Sequence, residues 1–185
     1  MESMMLASVM LHPGALAILA LAIFGAVCLG AKETEPYQRL SRGRLFAGFL
    51  SVFAVSLAVA GAGSYVSPEV ALRFGVAPEN YWSAIWREFA TLSVLLSYLS
   101  LLGCAAFGVP IVTLLAKRRS ATVPLVVAAS VPVSLGVVGM LVLLSTAPTA
   151  RIAKGAALMV GLHAVMAVGF SMGVRLPWRR PRKEA

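Results

Sequence analysis

The chain alternates between long apolar stretches and short charged loops. Five stretches free of Lys, Arg, Asp and Glu cover residues 3–31, 45–68, 89–116, 120–150 and 155–174. About 20 helical residues cross a hydrocarbon core, so each stretch suffices for one crossing and none for two. The pattern predicts an all-α membrane protein that forms a single domain. Its five transmembrane helices are predicted at approximately residues 8–31, 45–66, 89–116, 121–146 and 154–174. A basic tail follows at residues 175–185.

Composition supports a lipid environment. Hydrophobic residues make up 59% of the 185 residues and charged residues only 12%, whereas ordinary globular chains carry about 25% charged residues. The net charge of +9 is clustered at the ends of the apolar stretches and does not form a stripe on a soluble fold. We therefore expect anionic lipid headgroups, and not nucleic acid, as its electrostatic partner.

The basic residues orient the predicted bundle. Twelve of the 16 lie after the first, third and fifth stretches, and loops rich in Lys and Arg stay in the cytoplasm. This places the N-terminus outside and the C-terminus in the cytoplasm. The heavy use of Ala, Val, Leu, Gly and Arg is typical of bacterial chains, so we expect the bacterial inner membrane. The twelve are Lys32, Arg39, Arg42, Arg44, Lys117, Arg118, Arg119, Arg175, Arg179, Arg180, Arg182 and Lys183.

The first stretch is interpreted as a retained helix. A cleaved signal peptide begins with a basic region, but the first ten residues contain only one charged side chain, Glu2. The residues directly before Lys32, Leu29-Gly30-Ala31, do not form a cleavage site of the A-x-A type. Four helices would remain if this segment were removed.

The longest outer loop, residues 66–88, is predicted to contain short interfacial helix. Pro68–Glu69 and Pro78–Glu79 each place Pro and then Glu where a first helical turn favours them. The aromatic residues that follow suit a membrane-interface belt. Their clustering next to two charges also makes them the best candidates for contact with a partner: Tyr81, Trp82, Trp86, Arg87 and Glu88.

Small and weakly polar residues recur along one face of the third helix. Their spacing of three and four residues indicates a seam that packs against another helix; the alternative is the lining of a narrow polar path beside Tyr98. The Gly169–Gly173 pair and the small residues 60–63 also suit close helix contact. The seam consists of Ser93, Ser97, Ser100, Cys104 and Gly108.

Two prolines interrupt predicted helices. Pro110 and Pro132 cannot donate a backbone hydrogen bond, so kinks are expected in the third and fourth helices. Ser130 and Ser134 flank the second proline and can satisfy freed backbone groups. Gating at these positions is an alternative to a purely structural role.

His163 is the one ionisable group clearly at membrane depth. Met159 and Met166 share its helix face, and this set suits Cu(I). His12 reaches similar depth if the first helix starts near residue 4, and two facing histidines can bind haem. The simpler interpretation is a neutral His163 bonded to a serine of another helix, so no cofactor is predicted outright.

Exclusions narrow the function. The chain has no Asp, and its seven acids are all Glu outside the apolar stretches, which argues against Asp-based triads, magnesium sites and proton-coupled transport. We expect no enzyme activity. The favoured function is a non-catalytic membrane protein acting by contact with other membrane subunits, as an accessory subunit or an immunity-type protein. The alternatives are a channel or carrier for a neutral solute and a haem- or copper-binding subunit.

Overall fold

The computed structural model describes residues 8–35, 40–64, 81–144 and 149–179. Within these ranges the regular secondary structure is entirely helical, and five segments are long and apolar enough to cross a membrane, as the sequence predicts. The third segment is one continuous run of three parts, α3, a π-turn and α4. The elements in chain order are α1 (Pro13–Thr34), α2 (Arg42–Ser64), α3 (Tyr81–Gly103), the π-turn (Cys104–Gly108), α4 (Val109–Lys117), α5 (Val123–Leu144) and α6 (Thr149–Gly173).

The first spanning helix starts later than the hydropathy pattern suggests. Residues 8–10 are helical, but the backbone breaks at 11–12 and α1 begins at Pro13. His12 is its N-cap, with Nδ1 accepting a hydrogen bond from the Gly14 N–H at 3.2 Å. Proline at the first helical position needs no donor, so His12 and Pro13 together define a helix start.

Charged residues do not end the helices where the apolar stretches end. α3 begins at Tyr81 and carries Arg87 and Glu88, and α6 begins at Thr149 and carries Arg151 and Lys154. A charged residue is unfavourable in the hydrocarbon core but is compatible with a helix outside it. Both helices therefore continue beyond the predicted spans. Of the predicted interfacial segment, residues 81–88 form the start of α3, while residues 66–80 lie outside the described residues.

The two internal prolines have different consequences. In the third segment a π-turn precedes Pro110, and the Val109 N–H donates to the Cys104 carbonyl five residues back. A π-turn changes the hydrogen-bond register. α5 instead continues through Pro132, and Ser130 and Ser134 donate to the carbonyls of Val127 (2.7 Å) and Ser130 (2.9 Å).

α2 lies between α3 and α6, and these are the most extensive helix contacts together with that between α5 and α6. α1 packs mainly against the third segment and less extensively against α2. The contact between α2 and α6 depends on glycine. A Cβ on Gly173 would lie 2.5 Å from the Ala47 carbonyl oxygen, and a Cβ on Gly48 would lie 2.6 Å from the Phe170 ring. Gly169 meets Val55 in the same way, so the Gly169–Gly173 pair is a packing surface within the bundle.

The three basic loops meet at one end of the bundle. Arg44, at the start of α2, donates to the carbonyls of Val174 and Arg175 at the end of α6. The Val123 N–H, at the start of α5, donates to the Pro177 carbonyl at 3.1 Å. We call this region the basic end of the bundle, and backbone groups at the helix termini are satisfied there by neighbouring segments.

Candidate functional site

The candidate partner-contact residues form the start of α3. Trp82 and Trp86, one turn apart, are 61% and 65% exposed, and Arg87 and Glu88 are exposed beside them. Tyr81 stacks edge-on against Trp82, with ring centroids 5.8 Å apart, and Trp86 packs against Phe89 in the same manner. The structure therefore brings these side chains onto the first two turns of α3, which we call the outer aromatic surface (residues 81–88).

The outer aromatic surface lies on α3 before the residues that face Gly61 and Gly63 of α2. A Cβ on Gly61 would lie 3.8 Å from the Phe89 ring, and one on Gly63 would lie 3.5 Å from Leu92. Trp82 lies seven residues before Phe89 along α3, roughly 10 Å at 1.5 Å per residue. The tryptophan rings therefore lie on the part of α3 that leads away from these two positions.

The serine seam begins on the same face and leads into the bundle. Ser93 and Ser97 follow Phe89 at intervals of four residues, and Cys104 belongs to the buried core. The Phe170 ring of α6 lies 4.0 Å from where a Cβ would stand on Gly108. Ser97 and Cys104 are buried, and Ser93, Ser100 and Gly108 are half-buried. This burial matches a packing surface.

Two hydroxyls of the seam are buried without a hydrogen-bond partner in the structure, those of Ser93 and Ser97. Helical serines commonly donate to a carbonyl one turn back, as Ser56 does to Val52 at 2.9 Å. Tyr98, which the sequence places beside the seam, is instead directed to α1, where its hydroxyl donates to the Ala15 carbonyl at 3.2 Å. The hydroxyls of Ser93 and Ser97 are thus buried polar groups without a partner in the structure.

His163 and its two methionines have separate partners. His163 Nδ1 lies 2.8 Å from the Met159 carbonyl oxygen. Because a carbonyl can only accept, Nδ1 is the donor, and Nε2 of a neutral ring would be the acceptor. The Met166 sulfur is buried and lies 3.7 Å from the Ser56 hydroxyl of α2. His163 is therefore bonded to its own helix and not to a serine of another helix.

His12 does not lie two turns inside a helix, because α1 begins at Pro13. Its ring is engaged in capping, and α1 and α6 share no extensive interface in the described ranges. Within those same ranges, no three His, Cys, Asp or Glu side chains lie close enough together to hold a metal ion. Metal or haem binding at His163 stays a prediction that rests on Nε2.

A groove lies between α1 and the third segment. The hydropathy pattern does not predict it. The groove has a volume of about 560 Å³ and opens to the surface, and its lining is mainly apolar. Leu21, Gly25 and Leu29 line one side. The π-turn and α4 line the other side with Ala106, Pro110 and Thr113.

The groove ends at an ion pair. The Lys117 ammonium contacts the Glu33 carboxylate, and both side chains are partly exposed at the basic end of the bundle. One turn deeper, the Thr113 hydroxyl is buried and has no hydrogen-bond partner in the structure. The groove is therefore apolar along its length and polar at one end.

Comparisons with known proteins leave these features to be interpreted from the chain itself. No protein-family model matches the sequence, and neither the search of characterised proteins nor the search of solved structures finds a significant match.

Proposed function

We propose that this chain is a non-catalytic protein of the bacterial inner membrane that works by contact with another membrane protein. It acts as an accessory subunit of a membrane complex or as an immunity-type protein that blocks a toxin in the bilayer. The observation that carries the proposal is the outer aromatic surface, where Trp82 and Trp86 are exposed one turn apart at the start of α3. Tryptophan and arginine are the residues most enriched at the energetic centres of protein interfaces.

Helix length favours a partner over a simple interfacial belt. Trp82 lies about 35 residues from Lys117 in one continuous helical segment, roughly 50 Å along its axis. A bilayer with its headgroups is about 40–45 Å thick, and a helix tilt of about 20° shortens the projected span by only a few ångströms. Belt aromatics sit at the headgroups, so Trp82 is proposed to stand above them, where a protein can cover it.

The proposed orientation puts this surface outside the cell membrane. The basic end carries Arg44, Lys117 and Arg175, and segments rich in Lys and Arg stay in the cytoplasm. The outer aromatic surface is at the opposite end of α3, so the partner would be met on the periplasmic side.

The test is affinity purification of the full chain from native membranes in mild detergent. We expect a stoichiometric membrane partner that is recovered with the wild type and lost with the Trp82→Ala/Trp86→Ala variant. Trp178→Ala is the matched control, because Trp178 is 61% exposed at the basic end and should not change recovery. A wild-type protein that is monomeric and without a partner contradicts the proposal, and so does equal loss with the control.

A second candidate is a channel or carrier for a neutral solute, favoured by the unpartnered hydroxyls of Ser93 and Ser97. Liposomes containing the wild type would then be permeable to a small polyol such as glycerol. Ser97→Ala removes the hydroxyl without adding volume, so a flux unaffected by this change would contradict a role of Ser97 in the path.

A further inference from the structure

We propose that the groove between α1 and the third segment is a binding site for one phospholipid with an anionic headgroup. Its phosphate would lie at Lys117 and one acyl chain would lie along the groove towards Leu21. The site is separate from the outer aromatic surface, which is at the other end of α3.

The length and lining of the groove suit an acyl chain. From Leu21 to Glu33 it follows α1 for about 12 residues, roughly 18 Å, close to one leaflet of a hydrocarbon core that is roughly 30 Å thick. Gly25 leaves the middle of the groove open, since a Cβ built there meets nothing within 4 Å. Ala106 and Pro110 line the opposite side with small side chains. An acyl chain that enters from the bilayer can thus lie in the groove from the midplane to the basic end.

The polar groups occur where the polar part of a phospholipid would be. The Lys117 ammonium has three donors, and Glu33 occupies one of them, so donors remain for a phosphate oxygen. Thr113 lines the groove one turn deeper, about 6 Å along the helix. Its hydroxyl is buried without a partner in the structure, and rotation about the Cα–Cβ bond would present it to the groove. The ester carbonyls of a phospholipid lie at this depth below the phosphate and can accept from a hydroxyl. The two side chains therefore match two successive polar groups of one lipid.

Charge favours an anionic headgroup over a zwitterionic one. The segments that flank the polar end, residues 32–35 and 117–119, carry four cations and two carboxylates. The cations are Lys32, Lys117, Arg118 and Arg119, and the carboxylates are Glu33 and Glu35. A net positive surface attracts anionic lipid.

The test uses the full chain, reconstituted in vesicles of phosphatidylglycerol and phosphatidylcholine, extracted in mild detergent and analysed by native mass spectrometry. We expect one retained lipid per chain, with phosphatidylglycerol preferred. Gly25→Leu should fill the groove and abolish retention. Gly139→Leu is the matched control, because a Cβ at Gly139 of α5 also meets nothing within 4 Å and Gly139 is exposed.

Two variants test the polar end. Lys117→Gln should lower the preference for phosphatidylglycerol about fivefold, the effect of one cation at an anionic surface. Thr113→Val, which keeps the side-chain shape, should weaken retention of both lipids alike. Equal lipid retention by Gly25→Leu and Gly139→Leu overturns the proposal, because the lipid would then be general bilayer lipid. Recovery of a protein segment in the groove in place of lipid overturns it as well.

Discussion

The guanidinium of Arg44 donates from Nε to the carbonyl oxygen of Val174 at 2.8 Å, 130 residues away in sequence. A second donor, Nη2, reaches the Arg175 carbonyl at 2.8 Å. These carbonyls follow the end of α6 and have no further helical turn to supply donors. Arg44 thus joins the start of α2 to the end of α6. It stabilises the fold in addition to any role that its positive charge has in setting the orientation in the membrane.

Replacement of Arg44 by Ala should destabilise the bundle. Hydrogen bonds from charged groups contribute about 1.5–3 kcal/mol each when lost, and the two act together, so we expect a loss of about 2–3 kcal/mol. Arg44→Lys should recover part of this, because an ammonium cannot reproduce the two-pronged geometry. Unfolding by SDS titration in mixed micelles measures the change. Arg42→Ala, an exposed cation in the same helical turn, is the control, and an equal effect there would refute the assignment.

The contact between α2 and α6 should be intolerant of even one methyl group at Gly173. A Cβ there would lie 2.5 Å from a backbone oxygen, so the helices must separate, which typically costs about 1–3 kcal/mol. Gly161→Ala on the same helix should be neutral or stabilising, since that position is open and alanine favours helix. The same SDS titration compares the two variants. A Gly173→Ala protein as stable as Gly161→Ala would show that the helices are not in such close contact.

Ser97 distinguishes packing from a polar path. If the seam only packs, Ser97→Ala removes a buried group that has no partner, and stability should change by less than about 1 kcal/mol. Ser97→Leu should destabilise by about 1–3 kcal/mol, because the site is buried against the bundle. A loss greater than about 2 kcal/mol for Ser97→Ala would indicate that the hydroxyl is bonded, for example to water.

The proposed topology can be tested by cysteine labelling in intact cells. With Cys28 and Cys104 replaced, cysteines introduced at Ser41 and Ser120 should resist a membrane-impermeant maleimide, and one at Ser83 should react. After membrane permeabilisation all three should react. Labelling of position 41 or 120 in intact cells would reverse the orientation and move the outer aromatic surface to the cytoplasm.

The five spans and the closeness of the basic loops follow from sequence because hydropathy and charge report directly on contact with lipid and water. The same signals do not mark helix ends, since Arg87 and Arg151 lie inside helices. The sequence allows His12 to lie two turns inside a helix, whereas in the structure its ring caps the start of α1. Short-range geometry of this kind is not visible in hydropathy.

The sequence predicts that Gly169 and Gly173 lie in a close helix contact. It does not predict which helix they contact. Which helices are neighbours depends on the fit of many side chains, and α2 is recognised as that partner only when Ala47, Gly48 and Val55 are placed. The groove is likewise missed, because it needs α1 and the third segment side by side. Pro110 signalled an irregularity, and the structure resolves it as a π-turn.

That turn has a consequence for the rest of its segment. Each residue advances a helix by about 100°, so the wider register between Cys104 and Val109 rotates everything that follows relative to everything that precedes. If the same residues formed a regular helix, α4 would be turned by about 100° relative to α3, and Lys117 would move away from Glu33. A variant shortened by one residue here should instead recover regular hydrogen bonding and keep Lys117 beside Glu33, because the deletion removes the residue that the wide turn accommodates.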